Sequence, residues 1–140
     1  MAQIFADTWY WVAITSDDDP WARHVERLSA RIRGDTIVTT EEILIEYLGF
    51  VSGWKRHLKE RAARLVRQTF ESAGVVVIHQ SHESFFHGLE LYERRADKGY
   101  SLVDCISMAV MRERGITEVL SGDEHFRQEG FVPLIDPDAG

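Results

Sequence analysis

Short apolar runs alternate with longer amphipathic stretches along the whole chain, and this alternation predicts the fold class. "QIFA" (3–6) reads as a first strand and "TWYWVAIT" (8–15) as the helix after it. Asp17, Asp18, Asp19 and Pro20 mark a break, and small acids before a proline commonly start a helix. A second helix is expected over 20–33, ending before Gly34, and "TIVT" (36–39) is a second strand. The run "TTEEILIEYLGFVSG" (39–53) looks helical, with Thr39 and Glu42 at capping-box spacing. Residues 55–72 form an amphipathic helix with Leu58, Ala62, Leu65, Thr69 and Phe70 toward the core. "VVVIH" (75–79) is β-branched and unrelieved, as buried parallel strands are. Helices at 82–96 and 101–114 follow, separated by a "DKGY" turn. The strand "EVL", a short segment "DEHFRQEG" and a last strand "FVPL" complete the pattern.

Strands separated by helical stretches with short loops imply an α/β fold. The expectation is one three-layer α/β/α domain over 1–140, with a central parallel sheet of four or five strands. In such a sheet the strand C-termini and helix N-termini share one edge, where ligands bind near the reversal of strand order.

The helix at 101–114 raises a question. Leu102, Val103, Cys105, Ile106, Met108, Ala109, Val110 and Met111 make it apolar on most of its circumference, so it should be buried. A carboxylate in its first turn, Asp104, is costly there unless something takes up its charge. Three more acids fall near the same edge by element order alone. Asp7 follows the first strand and Asp123 the fourth. Glu46 sits deeper in the helix after the second strand, but its long side chain leans back toward the helix N-terminus. Glu42 competes for that third place; its capping spacing from Thr39 gives it a local role, and Glu46 lies beside Ile43, Tyr47 and Phe50, on a side expected to face inward, so Glu46 is preferred. Each acid also has a local reading: Asp7 as a helix cap, Asp104 as a favourable charge at a helix N-terminus, Asp123 as a turn residue. Independent caps have no reason to share one edge. Crowded carboxylates repel and some would hold protons, whereas a hard divalent cation such as Mg²⁺ or Mn²⁺ accepts oxygen donors of this kind.

Charge and composition narrow the picture. A net charge of −7 does not mark the chain as an obvious nucleic-acid binder, although a local basic strip can hide within it. No apolar run is long enough to span a bilayer, and no basic region precedes the N-terminal apolar residues, so a cytosolic protein is expected. A single cysteine excludes an internal disulfide, and Cys105 reads as a small core residue.

The segments "FADTWYW", "VTTEEILIEYL", "YSLVDCISMAVMRERGI" and "EVLSGDEHFRQEGFVPL" together resemble the PIN-domain nucleases, specifically the VapC-like toxins of toxin–antitoxin pairs. The resemblance runs from about Ile4 to Leu134. Its most specific part is an Asp early in an apolar helix, then a strand, then Ser-x-Asp-x-x-Phe followed by Gly-Phe. What it implies is a Mg²⁺- or Mn²⁺-dependent endoribonuclease that leaves a 3′-hydroxyl and a 5′-phosphate. The family's acidic quartet carries over to Asp7, Glu46, Asp104 and Asp123 as catalytic and metal-holding residues, with Ser121 and Thr8 as supporting hydroxyls. The resemblance also implies RNA as substrate, a small antitoxin protein as partner, a homodimer as the family habit, and first and fourth strands lying side by side.

Substrate grip needs positive charge. "WKRHLKERAARLVRQ" carries six of the 16 basic residues, and Lys55, Arg56 and Lys59 are candidate RNA contacts; a solvated helix face is the alternative. Trp9, Tyr10 and Trp11 point in different directions on one helix, so some must be core while the rest could line a groove for a partner. His79, His82, His87 and His125 lack the helix spacing of a zinc protease; His125, beside Asp123, is nearest the pocket and could help bind RNA, but is read as a surface residue of its turn. Two rivals remain: a housekeeping PIN nuclease of RNA maturation, and a catalytically idle PIN-like binding module. A receiver or haloacid-dehalogenase-like phosphatase would need a second acid beside the first, which "FADTWYW" lacks.

Overall fold

Five parallel strands form one sheet in the order β3-β2-β1-β4-β5. The structure is a computed structural model describing residues 2–135; residue 1 and residues 136–140 of the expected domain lie outside the described residues. In chain order the elements are β1 (Gln3–Ala6), α1 (Thr8–Thr15), α2 (Ala22–Arg31), β2 (Thr36–Thr40), α3 (Glu41–Phe50) and α4 (Arg56–Glu71). They continue with β3 (Val75–Ile78), α5 (His82–Arg94), α6 (Leu102–Arg114), β4 (Glu118–Leu120), α7 (Glu124–Gln128) and β5 (Val132–Pro133). The chain lays down β1, β2 and β3 in one direction, then crosses back to place β4 and β5 on the other side of β1. Right-handed crossovers in opposite directions put their helices on opposite faces, which makes three layers. The strand order reverses at β1 and β4, where Phe5 pairs with Val119 and Ala6 with Leu120.

Burial follows sheet position. Phe5, Val38 and Val119, on the three inner strands, are fully buried. β3 departs from the expectation of a buried strand: all four of its residues are only half-buried, because it is the sheet edge. Phe70 departs too. It is exposed, while Ala62 and Thr69 of the same helix are buried and Leu65 is half-buried.

The start of α3 corrects the expected capping pair. Thr39 remains in β2, where its hydroxyl donates to the Ala6 carbonyl at 2.9 Å. The N-cap is Thr40, whose side chain accepts from the Ile43 amide at 3.1 Å. A strand pairing that runs through Thr40, opposite Ile78, holds Thr39 in extended conformation and moves the cap one residue on. The second helix is also shorter than expected, because Pro20 and Trp21 belong to the turn before it. α6 is closed at both ends: a reciprocal pair of hydrogen bonds between Ser101 and Asp104 starts it, and Gly115 ends it at φ 69°, a conformation that disfavours any side chain. No helix among the described residues is long and apolar enough to cross a membrane.

Candidate active site

Register brings the first two acids' surroundings together. Ala6 lies opposite Leu120, so the next residues, Asp7 and Ser121, leave the strands side by side. The Ser121 hydroxyl donates to Asp7 Oδ2 at 2.8 Å and accepts from the Asp123 amide at 3.0 Å. Asp7 occupies the N-cap position of α1, yet its carboxylate does not cap that helix; it turns to Ser121. The local-cap reading therefore does not describe Asp7. Asp123, read locally as a turn residue, is the cap of α7, accepting from the His125 amide at 2.9 Å. Asp104 is likewise part of a cap, with its Oδ2 accepting from the Ser101 amide at 3.1 Å. Capping and site placement coexist, because a helix N-terminus at a strand-end edge presents its capping acid to the pocket.

Asp7, Glu46, Asp104 and Asp123 all line one open pocket of about 610 Å³, together with Thr8, Asp19 and His125. Glu46 is on the exposed side of α3 rather than facing inward, and accepts a hydrogen bond from the Thr8 hydroxyl. Glu42 is absent from the pocket lining. Trp9, Trp21 and Phe50 form an aromatic wall, with the Trp9 and Trp21 ring centroids 6.1 Å apart. Tyr10 and Trp11 are the core members of the aromatic run. Gly122 packs under Trp9, where a Cβ would meet the indole at 3.4 Å.

No lysine or arginine is among the residues lining this pocket. Asp7 is 4% exposed, and burial pushes its carboxyl up to about 7; Ser121 and the Thr8 amide oppose that, while Asp104 and Glu46 add to it. Asp104 is also raised, first by burial and then by Asp123, against the Ser101 amide and His125. Both shifts have the sign expected where negative charge lacks a counter-charge. Among the described residues, Asp104, Asp123 and His125 have donor atoms within 4.8 Å of one another; Asp7 and Glu46 line the same pocket outside that tight set. The donors are mostly carboxylate oxygens, the set a hard divalent cation takes. The residues fit such an ion.

Of the other pocket residues, the sequence reading set His125 aside and missed Asp19. His125 is not a surface turn residue: its Nδ1 lies 3.4 Å from both Asp104 Oδ2 and Asp123 Oδ1, and its ring meets Tyr100 edge-on at 5.3 Å. Its position two residues after Asp123, on the first turn of α7, was the available signal. Asp19 also reaches the pocket, and its carboxylate accepts from the Trp21 amide at 2.8 Å, shaping the turn that carries Trp21.

Of the basic stretch, Lys55 lines a second groove of about 770 Å³ with Trp54, His57, Arg61 and Arg64. Arg56 instead pairs with Glu60 at 2.8 Å in solvent, and Lys59 is not among the lining residues. Ser16–Asp18 border this groove and Asp19–Trp21 border the acidic pocket, so one segment separates the two.

Comparison with known proteins agrees with this geometry. The 23S rRNA-specific endonuclease VapC20 of Mycobacterium tuberculosis, from two strains, is 32% identical over 133 residues, covering 94% of this chain and 97% of the relative. The crystal structure of Mycobacterium tuberculosis VapC20, described as a Sarcin-Ricin loop cleaving toxin, superposes with a TM-score of 0.83 at 27% identity, covering 95% of this chain and 99% of the other. The PIN domain family model matches residues 4–131, and with β1 and β4 joined at an acidic switch point, this chain belongs to the PIN domain family.

Proposed function

We propose that the protein is a divalent-cation-dependent endoribonuclease and the toxin of a toxin–antitoxin pair. The observation that carries this reading is the meeting of Asp7, Glu46, Asp104 and Asp123, from four separate elements, in one pocket of a PIN domain. The similarity to a 23S rRNA-specific endonuclease over nearly the whole chain makes ribosomal RNA the first substrate to test.

Asp104 and Asp123 would hold a divalent cation such as Mg²⁺ or Mn²⁺, with Asp7 and Glu46 completing the negative surroundings. A cation bound there lowers the pKa of a coordinated water and offsets charge on the phosphoryl oxygens. Ser121 fixes the Asp7 carboxylate and, through the Asp123 amide, the start of the α7 turn. Thr8 orients Glu46. Asp7, fixed by the Ser121 hydroxyl at the pocket, would be the carboxylate placed to accept a proton from the attacking water. Attack by water leaves a 3′-hydroxyl and a 5′-phosphate. The RNA backbone is held across the neighbouring groove by Lys55, Arg61 and Arg64, and Trp54 offers a face for a base. A small antitoxin covers the aromatic wall of Trp9, Trp21 and Phe50, of which Phe50 is largely exposed.

The test is cleavage of ribosomal RNA by the purified chain with Mg²⁺, Mn²⁺ or EDTA, with 3′-end analysis of the products. Wild type should cleave only with a cation, and Asp104→Asn should fold normally and lose at least about a hundredfold in rate. Cleavage in EDTA, or an Asp104→Asn protein as active as wild type, refutes the reading. Co-expression with a neighbouring small reading frame should yield a complex in which cleavage is blocked.

A further inference from the structure

We propose that His125 is itself a donor to the divalent cation, through Nδ1, and that it raises the site's preference for first-row transition ions over Mg²⁺. This rests on the cation-dependent reading above and adds to it a nitrogen ligand outside the acidic quartet.

The Nδ1 atom is buried and has no hydrogen-bond partner among the described residues. It lies 3.4 Å from Asp104 Oδ2 and 3.4 Å from Asp123 Oδ1. With a proton on Nδ1, a shorter and aligned bond to one carboxylate would form. Without one, its lone pair faces two anions. The 3.4 Å spacing matches the second arrangement, which leaves a buried polar atom unsatisfied and costs about 1–3 kcal/mol. One cation between the three atoms resolves the conflict. Neighbouring donors on an octahedral ion with bonds near 2.1 Å lie roughly 3 Å apart, close to the spacing seen here.

The ring is held in this orientation from three sides. Its own backbone amide is tied to Asp123 Oδ1, Tyr100 packs on the ring, and Nε2 faces Gly99, where a Cβ would sit 3.6 Å away. Nδ1 is thereby the nitrogen presented to the acids. Mg²⁺ favours an all-oxygen shell, whereas transition ions accept imidazole readily, so the nitrogen changes which ion the pocket selects.

The experiment uses metal-stripped full-length protein loaded with one equivalent of Mn²⁺ and examined by pulsed electron paramagnetic resonance. The wild-type spectrum should carry ¹⁴N modulation from a bound imidazole, and His125→Ala should lose it while still binding Mn²⁺. Calorimetric titrations should show the ratio of Mn²⁺ to Mg²⁺ affinity falling about tenfold in His125→Ala, and in His125→Gln should the alanine variant not fold. Bound Mn²⁺ without nitrogen modulation in wild type overturns the role of His125 and leaves the cation-dependent reading standing. Modulation that persists in the variant assigns the nitrogen to another histidine and also overturns it. A wild-type protein that binds no Mn²⁺ overturns both.

Discussion

Replacing Asp7 by Asn should stabilise the cation-free protein, and the gain should depend on pH. Asp7 is 4% exposed, and burial lifts its carboxyl from 3.8 to about 7. A folded-state value above the unfolded one means that, between those pH values, the native state holds a proton that the unfolded chain releases. Stability therefore falls as pH rises from about 4 to about 7, and the full penalty applies above that. The whole shift corresponds to about 4 kcal/mol, of which about 3 kcal/mol accrues between pH 5 and pH 8. Water entering the open pocket reduces this, so a measured change of at least about 1 kcal/mol is the fair threshold. Asn preserves the shape, and its amide oxygen can still accept the Ser121 hydroxyl. The assay is urea unfolding of wild type and Asp7→Asn in EDTA at pH 5 and pH 8. The variant's advantage should grow with pH, and saturating Mn²⁺ should favour wild type, because the ion stabilises the charged carboxylate that Asn lacks. An Asp7→Asn protein that is less stable than wild type at pH 8 in EDTA, or an advantage independent of pH, would refute the electrostatic argument.

Glu129→Gln should cost about 2 kcal/mol at pH 7, because a nearly buried carboxylate takes Arg95 at 2.6 Å and Arg112 at 2.7 Å. Burial alone would raise Glu129, but the two arginines outweigh it and hold it below its ordinary value, so this stability is present above the unfolded pKa and is lost as pH falls through the folded one; unfolding at pH 7 and pH 3.5 checks it. Gly88→Ala should destabilise by about 2 kcal/mol, since its Cβ would lie 2.4 Å from Ile106 Cγ1 and 3.1 Å from that residue's backbone; thermal unfolding reads it. Reversing Lys55 and Arg64 to Glu should weaken RNA binding and lower its salt slope by about 0.7 for each phosphate no longer neutralised, measured by fluorescence anisotropy on a cleavage-deficient background.

The elements that chemistry dictates locally were legible in the chain. β1, β4 and the apolar helix α6 stand where their periodicity puts them, and Asp7 and Asp123 past strand ends, with Asp104 in the first turn of a helix, could be placed by counting. The edge position of β3 was not legible, since an unrelieved β-branched run looks the same at the centre of a sheet and at its border. The cap of α3 moved from Thr39 to Thr40 because sheet pairing with β3, remote in sequence, decides how far β2 extends. Ser101 and Asp104 stand at readable capping spacing, but spacing alone does not say that one carboxylate both bonds the Ser101 amide and faces a pocket. His125 and the Arg95–Glu129–Arg112 cluster depend on packing of α7 against residues 95–112, a tertiary event with no periodic signature.

The pocket gathers five carboxylates with no lysine or arginine in its lining, so it repels a phosphodiester as it stands. The positive charge proposed to attract RNA is on the start of α4, across the Ser16–Trp21 segment. The fold thus separates acidic from basic residues, because the switch point at β1 and β4 collects acids from strand ends and helix starts, whereas the basic residues ride on a helix face. On the proposed reading a cation would join the two, offsetting the acids where the backbone arrives. The same arrangement explains why the net charge of −7 misleads as a guide to partners. Charge summed over a chain averages an acidic pocket against a basic rim, and recognition depends on their placement rather than on the sum.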